Sequence, residues 1–409
     1  MNLLDEANRC LLCKNPMCRK NCPINTPIPE IIDLYREGKL KEAGEILFDN
    51  NPLSVVCALV CPHEDQCNGH CVRGVKSAPI DFFKIEEEIS KEYLKSVEFE
   101  NIPKKDDRIA IVGGGPAGIT VAFILARKGY KVTIFDSHDK IGGVLRYGIP
   151  AYRLGKDFID TFEEKLISLG VKIRPNTLIG PVIGIDRLLE DGYKAVFIGT
   201  GVWNPKPLNI KGETLGNVHY AIDYLKSPSV YRLGKKVVVI GAGNVAMDAA
   251  RTAKRNGAEV TIIYRKGLEN MPATKKEIAE AKEDGVEFYL FKAPKEITEE
   301  GIKLDATENV VNEATGRIET KIMAGKEEFF SCDSVIIAVS QNPRTNIVSN
   351  TTELNTDKYG LVITDEKGNT TKKGTFASGD VVTGAKTVVE AVAKAKIVAD
   401  TIDEYCKNN

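Results

Sequence analysis

The 409-residue sequence lacks long hydrophobic runs and has no excess of either charge. Because it contains no run of about 18 apolar residues, a membrane-spanning helix is not expected. The 56 lysines and arginines balance the 57 aspartates and glutamates, which argues against a nucleic-acid-binding protein. The opening stretch MNLLDEANRC has neither the basic nor the apolar region of a secretion signal. We therefore expect a protein of the cytoplasm.

Cysteine is almost absent after residue 71, where only Cys332 and Cys406 remain as isolated singles. The other eight of the ten cysteines lie in the first 71 residues. In a reducing compartment, cysteines at this density are more often metal ligands or redox groups than disulfides. The sequence therefore predicts metal or redox chemistry in an amino-terminal segment.

Two cysteine runs make up that segment, CLLCKNPMCRKNCP at 10–23 and CALVCPHEDQCNGHC at 57–71. Zinc sites usually pair two C-x2-C knuckles, whereas only one is present here. A proline directly after a cysteine, found in both runs, is typical of bacterial ferredoxins. The spacing favours iron–sulfur clusters over zinc. His63 and His70 lack a paired ligand spacing and are interpreted as ordinary loop residues.

Two further units follow the cysteine segment. Apolar residues at helical spacing predict helices around the cysteine runs, and SVEFENIPKKDD is a polar linker. The order strand, glycine turn, helix, strand then occurs twice, over 108–136 and 236–266. This is the pattern of a dinucleotide-binding unit, so two such units are predicted.

The first unit carries G-x-G-x-x-G directly after the strand IAIV. Such glycines allow a tight turn, close approach of the backbone to a pyrophosphate and close packing of helix on strand, while the helix amino terminus favours an anion. A carboxylate at the end of the second strand can accept hydrogen bonds from a ribose. The predicted nucleotide contacts are Gly113, Gly115, Pro116, Ala117, Gly118 and Asp136.

The second unit carries the variant G-x-G-x-x-A, and its second strand ends in two cations instead of a carboxylate. A cationic pair suits the 2′-phosphate of NADP, so NADPH is favoured over NADH; a solvated surface pair is the alternative. The predicted contacts are Gly241, Gly243, Asn244, Val245, Ala246, Arg265 and Lys266.

Two adjacent nucleotide units suggest a flavin at one and a nicotinamide at the other. Near the carboxyl end, Gly379 and Asp380 follow a strand, and TVVEAVAKAKIVADTI predicts a helix whose amino terminus can stabilise negative charge on a flavin. A redox dithiol is missing after residue 71, which disfavours a disulfide reductase. The amino-terminal cysteines are then the remaining redox groups.

Together these features resemble the small (β) subunit of NADPH-dependent glutamate synthase. They are also similar to the amino-terminal half of dihydropyrimidine dehydrogenase and to the large subunit of NADH-dependent ferredoxin:NADP oxidoreductase. Besides the cysteine runs, the resemblance rests on GGGPAG, IGGVLRYGIPAYRL, AVFIGTGVWNPKPLNIKG, YRKGLENMPA and ASGDVVTGAKTVVEAV, and it covers almost the whole chain. It implies an α/β fold, with two Rossmann-like domains for FAD and NADPH preceded by a helical iron–sulfur domain.

The resemblance implies two 4Fe-4S clusters that share the two cysteine runs. One is expected on Cys10, Cys13, Cys18 and Cys71. The other is expected on Cys22, Cys61, Cys67 and a carboxylate of the following helix, Glu86, with Glu87 as the nearest competitor. From the residues alone, Glu86 would be interpreted as a solvated helix glutamate. Cys57 is then a spare thiol.

The resemblance also implies that FAD lies on the first unit and NADPH on the second. The residues expected around FAD are Gly143, Leu145, Arg146, Gly379, Asp380, Thr387 and Val388. The implied domains are residues 1–105 (helical, with two clusters), 106–221 with 335–409 (FAD), and 222–334 (NAD(P)H, inserted within the FAD domain).

The function expected from this resemblance is electron transfer. NADPH delivers hydride to FAD, positioning of the two rings carries the step without a catalytic side chain, and electrons pass through the clusters to a partner. The partner is expected to be a large glutamate synthase-like subunit, or a ferredoxin or flavoprotein subunit. The nearest alternative is a subunit of a bifurcating NAD(P)H:ferredoxin oxidoreductase. An alternative of another class is a zinc-stabilised nucleotide-binding protein without turnover.

Overall fold

The computed structural model describes residues 2–313, 316 and 318–409. Its helices are α1 (Leu3–Asn8), α2 (Met17–Lys20), α3 (Ile28–Arg36), α4 (Leu40–Asn50), α5 (Ser54–Val60), α6 (Phe82–Ser96), α7 (Pro116–Arg127), α8 (Val144–Tyr147), α9 (Lys156–Ser168), α10 (Ile185–Glu190), α11 (Ala221–Lys226), α12 (Asn244–Arg255), α13 (Lys275–Glu283), α14 (Asp380–Thr383) and α15 (Val388–Asn408). Within the described residues, none of these helices is long and apolar enough to cross a membrane.

The strands begin only after the cysteine segment. They are β1 (Arg108–Val112), β2 (Lys131–Phe135), β3 (Lys172–Arg174), β4 (Tyr193–Ile198), β5 (Asn204–Pro205), β6 (Val218–Tyr220), β7 (Lys236–Ile240), β8 (Glu259–Tyr264), β9 (Glu287–Leu290), β10 (Lys292–Thr298), β11 (Gly301–Val311), β12 (Ile318–Ser331), β13 (Ser334–Ile337), β14 (Gln341–Asn342) and β15 (Thr375–Ala377). The chain divides into two compact units, residues 1–146, 151–202 and 343–409, and residues 147–150 and 203–342.

Helices α1, α3, α4 and α6 pack around a small apolar core in the first unit. On α3, Ile28, Ile31, Ile32 and Tyr35 share one face, because helix positions three, four and seven residues apart lie above one another, and all four are buried. The same core contains Ala7, Ala43, Leu47, Ile80, Phe82, Ile85 and Ile89, and the partly buried Cys10, Cys18, Cys67 and Cys71 pack against it. These cysteines therefore lie at the edge of the helical core.

A five-stranded parallel sheet forms the rest of the first unit, in the order β3-β2-β1-β4-β15. The strands β1 and β2 each have one exposed residue followed by four buried ones, as expected for a parallel sheet covered by helices, whereas the edge strand β3 is largely exposed. The first glycine turn follows β1, where the strand order reverses. Ligands of doubly wound sheets bind at this reversal point.

The second unit repeats this design in a sheet ordered β9-β8-β7-β13-β6, again with all pairs parallel. The second glycine turn follows the central strand β7. An antiparallel sheet, β10-β11-β12, and a short pair, β14-β5, complete this unit. Both parallel sheets confirm the expected α/β class with two Rossmann-like units behind a helical segment.

The division into compact units differs from the domain boundaries expected at 221/222 and 334/335. The expected boundaries place β6 and most of β13 in the first nucleotide domain, but both strands pair within the second sheet. Because such pairing joins strands that are distant in sequence, the domain to which each strand belongs could not be read from its position along the chain. The helical segment also belongs to the same compact unit as the first sheet.

An aromatic cluster joins the helical segment to the first sheet. Phe123 of α7 is fully buried, and its ring lies edge-on to Phe48 of α4 with 5.4 Å between centroids. Phe99 and Phe162 complete the cluster, at 6.4 Å and 6.2 Å from Phe123. Burial of these rings stabilises the helical segment against the sheet.

We predict that Phe123→Ala lowers the free energy of unfolding by about 3–5 kcal/mol, because it leaves a cavity among three other rings. Denaturant unfolding of the purified protein, followed by far-UV circular dichroism, measures this change. Tyr359→Ala is the control, since Tyr359 is in the same unit but 65% exposed. An equal effect of the two substitutions would contradict the prediction.

Candidate functional site

The first glycine turn has a backbone that only glycine can form. Gly113 has φ +101°, and a Cβ there would lie 2.7 Å from the carbonyl oxygen of Gly199. A Cβ at Gly118 would lie 1.9 Å from the carbonyl oxygen of Gly113. The close packing of α7 on β1, predicted from the G-x-G-x-x-G pattern, is therefore present.

Asp136 holds this turn in place. Its Oδ2 accepts a hydrogen bond from the Gly114 N–H at 2.6 Å, and its Oδ1 accepts one from the His138 N–H at 2.8 Å. The His138 Nδ1 also lies 2.8 Å from Oδ1. The carboxylate is buried and linked to the turn, and its expected contact with a ribose stays a prediction.

The loop before α8 lies against the same turn. The Gly142 N–H donates to the Gly114 carbonyl at 2.7 Å, and a Cβ at Gly143 would lie 2.8 Å from the Cα of Gly115. The backbone of Gly143 therefore lies close to that of Gly115, and this approach is possible because glycine has no Cβ.

Leu145 and Arg146, close to Gly143 in sequence, are both held by contacts within the protein. Leu145 is fully buried. Arg146 donates from Nε to the Ile141 carbonyl at 2.8 Å and from Nη2 to Asp160 Oδ1 at 2.7 Å. The guanidinium therefore fixes the loop, and a contact of Leu145 or Arg146 with FAD stays a prediction.

The segment after β15 also approaches the first turn. Gly379 has φ +78°, and a Cβ there would lie 3.2 Å from the Cβ of Ala117. Burial raises the pKa of Asp380 to about 6, the Lys386 backbone N–H lowers it, and Glu390 raises it. An acidic side chain is therefore retained next to Gly379 at an energetic cost.

Thr387 and Val388 lie where α15 begins. Thr387 is the N-cap of a capping box, in which the Glu390 N–H donates to Thr387 Oγ1 at 3.4 Å and the Thr387 N–H donates to the Glu390 carboxylate at 3.0 Å. Such a box fixes the direction of the helix start. Val388 is the first residue of the helix.

No role is predicted for Ser378 from the sequence. Its Oγ is buried and, within the described part of the chain, has no hydrogen-bond partner. Buried hydroxyls are normally paired, so an orphan beside Gly379 indicates a place where a bound group can supply the partner. The only sequence signal is its position before Gly379 in ASGD.

The second glycine turn is built like the first. Gly241 has φ +135°, and a Cβ there would lie 2.3 Å from the Ala338 carbonyl. Gly243 is the N-cap of α12, whose first residues are Asn244 and Val245, and Ala246 is fully buried in the core of this unit. The turn therefore presents the amino terminus of α12 at the end of β7.

Residues 271–273 fold back onto this turn. The Ala273 N–H donates to the Ala242 carbonyl at 3.1 Å, and the Thr274 N–H donates to Asn244 Oδ1 at 3.3 Å. A Cβ at Gly243 would be 4.0 Å from Pro272. This stretch is the end of YRKGLENMPA, and no contact of residues 271–273 is predicted from the sequence.

Arg265 and Lys266 differ in the exposure and hydrogen bonding of their side chains. Arg265 is exposed at the end of β8, and its carbonyl accepts a hydrogen bond from the Thr307 hydroxyl at 2.8 Å. Lys266 is half-buried, and its Nζ donates to the Ile318 carbonyl of β12 at 2.8 Å. Arg265 is therefore the more accessible cation for an anionic ligand.

Four of the amino-terminal cysteines form a first cysteine group: Cys10, Cys13, Cys18 and Cys71. Burial raises the pKa of Cys18 to about 11, the Arg19 backbone N–H lowers it, and Cys71, Cys10 and Cys13 raise it. Burial likewise raises the pKa of Cys10, against the Leu12 backbone and Arg36, and Cys71 and Cys13 add to the rise. Cys10, Cys18 and Cys71 pack against the same apolar core, and the joint ligation of a cluster by all four thiols stays a prediction.

A second cysteine group contains Cys22, Cys57, Cys61 and Cys67 together with Glu86. A hydrogen bond to Cys57 and burial raise the pKa of Cys61, with further contributions from Glu86 and Cys67. Burial raises the pKa of Cys67, and Glu86, Cys22 and Cys18 add to it. Cys18 and Cys67, one from each group, pack against the same apolar core.

Glu86 and Glu87 differ sharply in environment. Glu86 is 6% exposed, and burial, followed by Cys57, raises the pKa of its carboxyl well above the usual value. Among the described residues, no hydrogen bond or ion pair to its carboxyl is found. Glu87 instead forms an ion pair with Lys91 one turn along α6. A buried carboxyl without a partner beside thiols suits a metal ligand.

The first and second cysteine groups do not form a single-ion site. Within the described residues, no three histidine, cysteine or acidic groups converge as one metal ion would require. The ligands of a four-iron cluster bind different irons and need no such convergence. His63 stacks on Phe83 at 4.4 Å, and His70 Nδ1 lies 2.7 Å from the Gln66 carbonyl, so both have structural contacts.

The two remaining cysteines lie in different compact units. Cys332 is buried in the core of the second unit, and Cys406 is buried near the end of α15. Burial raises the pKa of each thiol to about 11. None of the ten cysteines forms a disulfide.

Comparison with family models matches two segments of the chain. The model described as dihydropyrimidine dehydrogenase domain II, 4Fe-4S cluster, matches residues 1–97. The model described as pyridine nucleotide-disulphide oxidoreductase matches residues 74–192 and 108–395. The first match covers both cysteine groups, and the second covers both glycine turns.

Relatives match over nearly the full chain. The small chain of NADPH glutamate synthase from Escherichia coli (strain K12) is 34% identical over 427 residues, covering 97% of this chain and 90% of the relative. The beta subunit of the NADP(+)-dependent formate dehydrogenase of Moorella thermoacetica is 33% identical over 427 residues, covering 95% of this chain and 60% of the relative.

A solved structure supports the fold. FprA of Mycobacterium tuberculosis, in complex with NADPH, has a TM-score of 0.64 at 20% identity, over 74% of this chain and 85% of that chain. The resemblance inferred from the sequence is confirmed by these matches. The chain therefore belongs to the pyridine nucleotide-disulphide oxidoreductase family, within the group of glutamate synthase small chains, and it is an oxidoreductase of that group.

Proposed function

We propose that the chain takes hydride from NADPH onto FAD and passes electrons through two 4Fe-4S clusters to a partner subunit, as in NADPH-dependent glutamate synthase. The observation that carries this proposal is the packing of the partly buried Cys10, Cys18, Cys67 and Cys71 against one apolar core, in the same compact unit as a nucleotide turn. The bound groups supply the hydride and electron chemistry. The chain's own residues bind, orient and insulate them. A cytoplasmic location is part of the proposal.

One cluster is assigned to the first cysteine group. Its four thiols match the four-cysteine ligation of a 4Fe-4S cluster. The Ile80 N–H donates to Cys71 Sγ at 3.5 Å, and backbone donors to sulfur favour the deprotonated, metal-bound form. In the absence of metal, burial opposes this form, since it raises the pKa of Cys10 and Cys18.

The other cluster is assigned to Cys22, Cys61, Cys67 and Glu86. The support for Glu86 is its buried, unpartnered carboxyl, whereas Glu87 is committed to Lys91. Cys57 is fully buried and accepts a hydrogen bond from Asn51 Nδ2 at 3.2 Å, which agrees with a structural thiol.

FAD is assigned to the first unit. Its pyrophosphate would lie against the backbone of Gly113, Gly115 and Gly118 at the amino terminus of α7, a common anion site. Ser378 and Gly379 close the same region, and the first turn of α15 can stabilise negative charge there. This assignment uses the orphan hydroxyl of Ser378, which needs an acceptor or donor.

NADPH is assigned to the second unit, with its pyrophosphate at Gly241 and Gly243. Arg265 would pair with the 2′-phosphate, because its guanidinium is exposed and can bind phosphate with two parallel hydrogen bonds. Lys266 is a weaker candidate, since its ammonium already donates to β12.

The partner is proposed from the relatives. The Escherichia coli relative is named a small chain and the Moorella relative a beta subunit, and such names describe parts of larger assemblies. NADPH oxidation that requires both glutamine and a large glutamate synthase subunit would support the proposal in full. NADPH oxidation that no added subunit stimulates would contradict the partner assignment.

We predict that Arg265→Ser raises the KM for NADPH by about tenfold or more, because it removes a charge-assisted contact with the 2′-phosphate. The KM for NADH should stay unchanged. Steady-state kinetics with each nucleotide, using a small acceptor, measures the difference. Lys266→Ser is the matched control and should have the smaller effect. Equal changes for NADPH and NADH would remove the 2′-phosphate assignment.

We predict that Glu86→Ala lowers the iron and acid-labile sulfide of anaerobically purified protein from about eight to about four of each per chain, because one four-iron cluster loses a ligand. Glu87→Ala is the matched control and should retain about eight. Glu86→Cys should retain both clusters but change the reduction potential of one. Full iron content in Glu86→Ala would show that Glu86 is no ligand, and iron-free wild-type protein would contradict the clusters altogether.

A further inference from the structure

Exposed apolar side chains surround the first cysteine group. We call residues 11–20 and 72–76 the collar. Leu11 and Val75 are 57% and 80% exposed, and Met17 and Val72 are also exposed. Soluble proteins rarely expose several large apolar side chains together unless the surface binds something.

The two stretches of the collar begin beside cysteines that share one core. Cys10 and Cys18, at the first stretch, and Cys71, which precedes the second, pack against the same apolar core. Arg9, just before the first stretch, donates from Nη1 to the Pro79 carbonyl at 3.5 Å and from Nη2 to the Ala78 carbonyl, just after the second. The two stretches are therefore held at the same part of the helical segment.

The collar is also positively charged. Segments 10–23 and 66–80 contain no aspartate or glutamate, although the whole chain has more acids than bases. Their five cations are Lys14, Arg19, Lys20, Arg73 and Lys76. Within the described residues, none of the five forms an ion pair. Their charge is therefore not used to hold the fold.

We propose that the collar is the docking surface for the acidic face of an electron-accepting protein. This inference rests on the proposed function, because it takes the first cysteine group as a cluster from which electrons leave the chain. Apolar centres with a charged rim are typical of protein interfaces, and opposite charge speeds and orients the encounter. A second copy of this chain does not fit, since it would place two positive collars together.

Two haem proteins of opposite charge test the proposal. Cytochrome b5 is an acidic one-electron acceptor and cytochrome c a basic one; each NADPH reduces two molecules of either and releases one proton. For wild-type protein, kcat/KM for cytochrome b5 should fall as salt is added. Lys14→Glu with Lys76→Glu should lower it about tenfold and raise kcat/KM for cytochrome c.

A matched control carries the same change in net charge. Lys172→Glu with Lys373→Glu alters two exposed lysines outside the collar and should leave both acceptors unaffected. Reduction of menadione, a small neutral quinone, reports the NADPH and flavin chemistry without docking. Failure of the wild-type protein to reduce menadione would contradict the proposed function instead of the docking surface.

Several outcomes would overturn the docking surface. One is menadione reduction without any cytochrome b5 reduction, and another is an equal effect of the two double variants. A third is binding to phosphatidylserine vesicles that the collar variant loses while cytochrome b5 reduction stays unchanged, because this would assign the collar to a lipid surface. Iron content and circular dichroism of each variant confirm that the helical segment is intact.

Discussion

The second cysteine group sets the constraint on which the helical segment depends, because the Glu86 carboxyl is buried there without a hydrogen-bond or ion-pair partner among the described residues. Burial of an ionised carboxylate without a partner costs more than most single contacts in a small core contribute. Burial accordingly shifts the pKa of Glu86 upward, which favours its neutral form in the absence of a cation. The segment thus buries a carboxyl that its own hydrogen bonds leave unsatisfied. Under the proposed function, metal binding satisfies this carboxyl, and cluster assembly and folding of the segment become coupled.

A chain of polar contacts joins α15 to the helical segment near Cys22. Lys396 Nζ donates to the Asn50 carbonyl at 2.6 Å and to its Oδ1 at 2.8 Å, and Asn50 Nδ2 donates to Thr26 Oγ1 at 3.4 Å. Thr26 Oγ1 in turn lies 3.3 Å from Cys22 Sγ. Burial lowers the pKa of Lys396, whereas Asp400 and Cys22 raise it. A half-buried ammonium therefore lies near a proposed cluster ligand. Because α15 also packs along α7, which begins at the first glycine turn, one helix contacts both the nucleotide unit and the cysteine segment.

Local geometry decided what could be predicted from the sequence. The glycine turns were predictable from residue type and spacing. Positive φ at Gly113 and Gly241 and close packing at Gly118 all favour glycine, and the glycines stand at the spacing of a nucleotide-binding turn. The pairing of distant segments could not be predicted in this way. The strands β6 and β13 join the second sheet through partners far away in sequence. The hydrogen bond from Lys266 to β12, and the missing partner of Ser378, likewise depend on how distant segments meet.

Charge shows why composition alone says little about recognition. The formal net charge of −1 suggests an evenly mixed surface, yet cations differ in what they do. Arg251 is buried and pairs with Glu280 and Asp284 at 2.5 Å and 2.8 Å, so it helps to hold α12 against α13. The five collar cations have no such pairing within the described chain, and therefore the fold gains little from retaining them. Surface charge that does not stabilise the fold is free to act on the approach of other molecules, through an effect on encounter rate that salt weakens. The unequal use of like charges within one chain is therefore a better guide to a binding surface than the net charge.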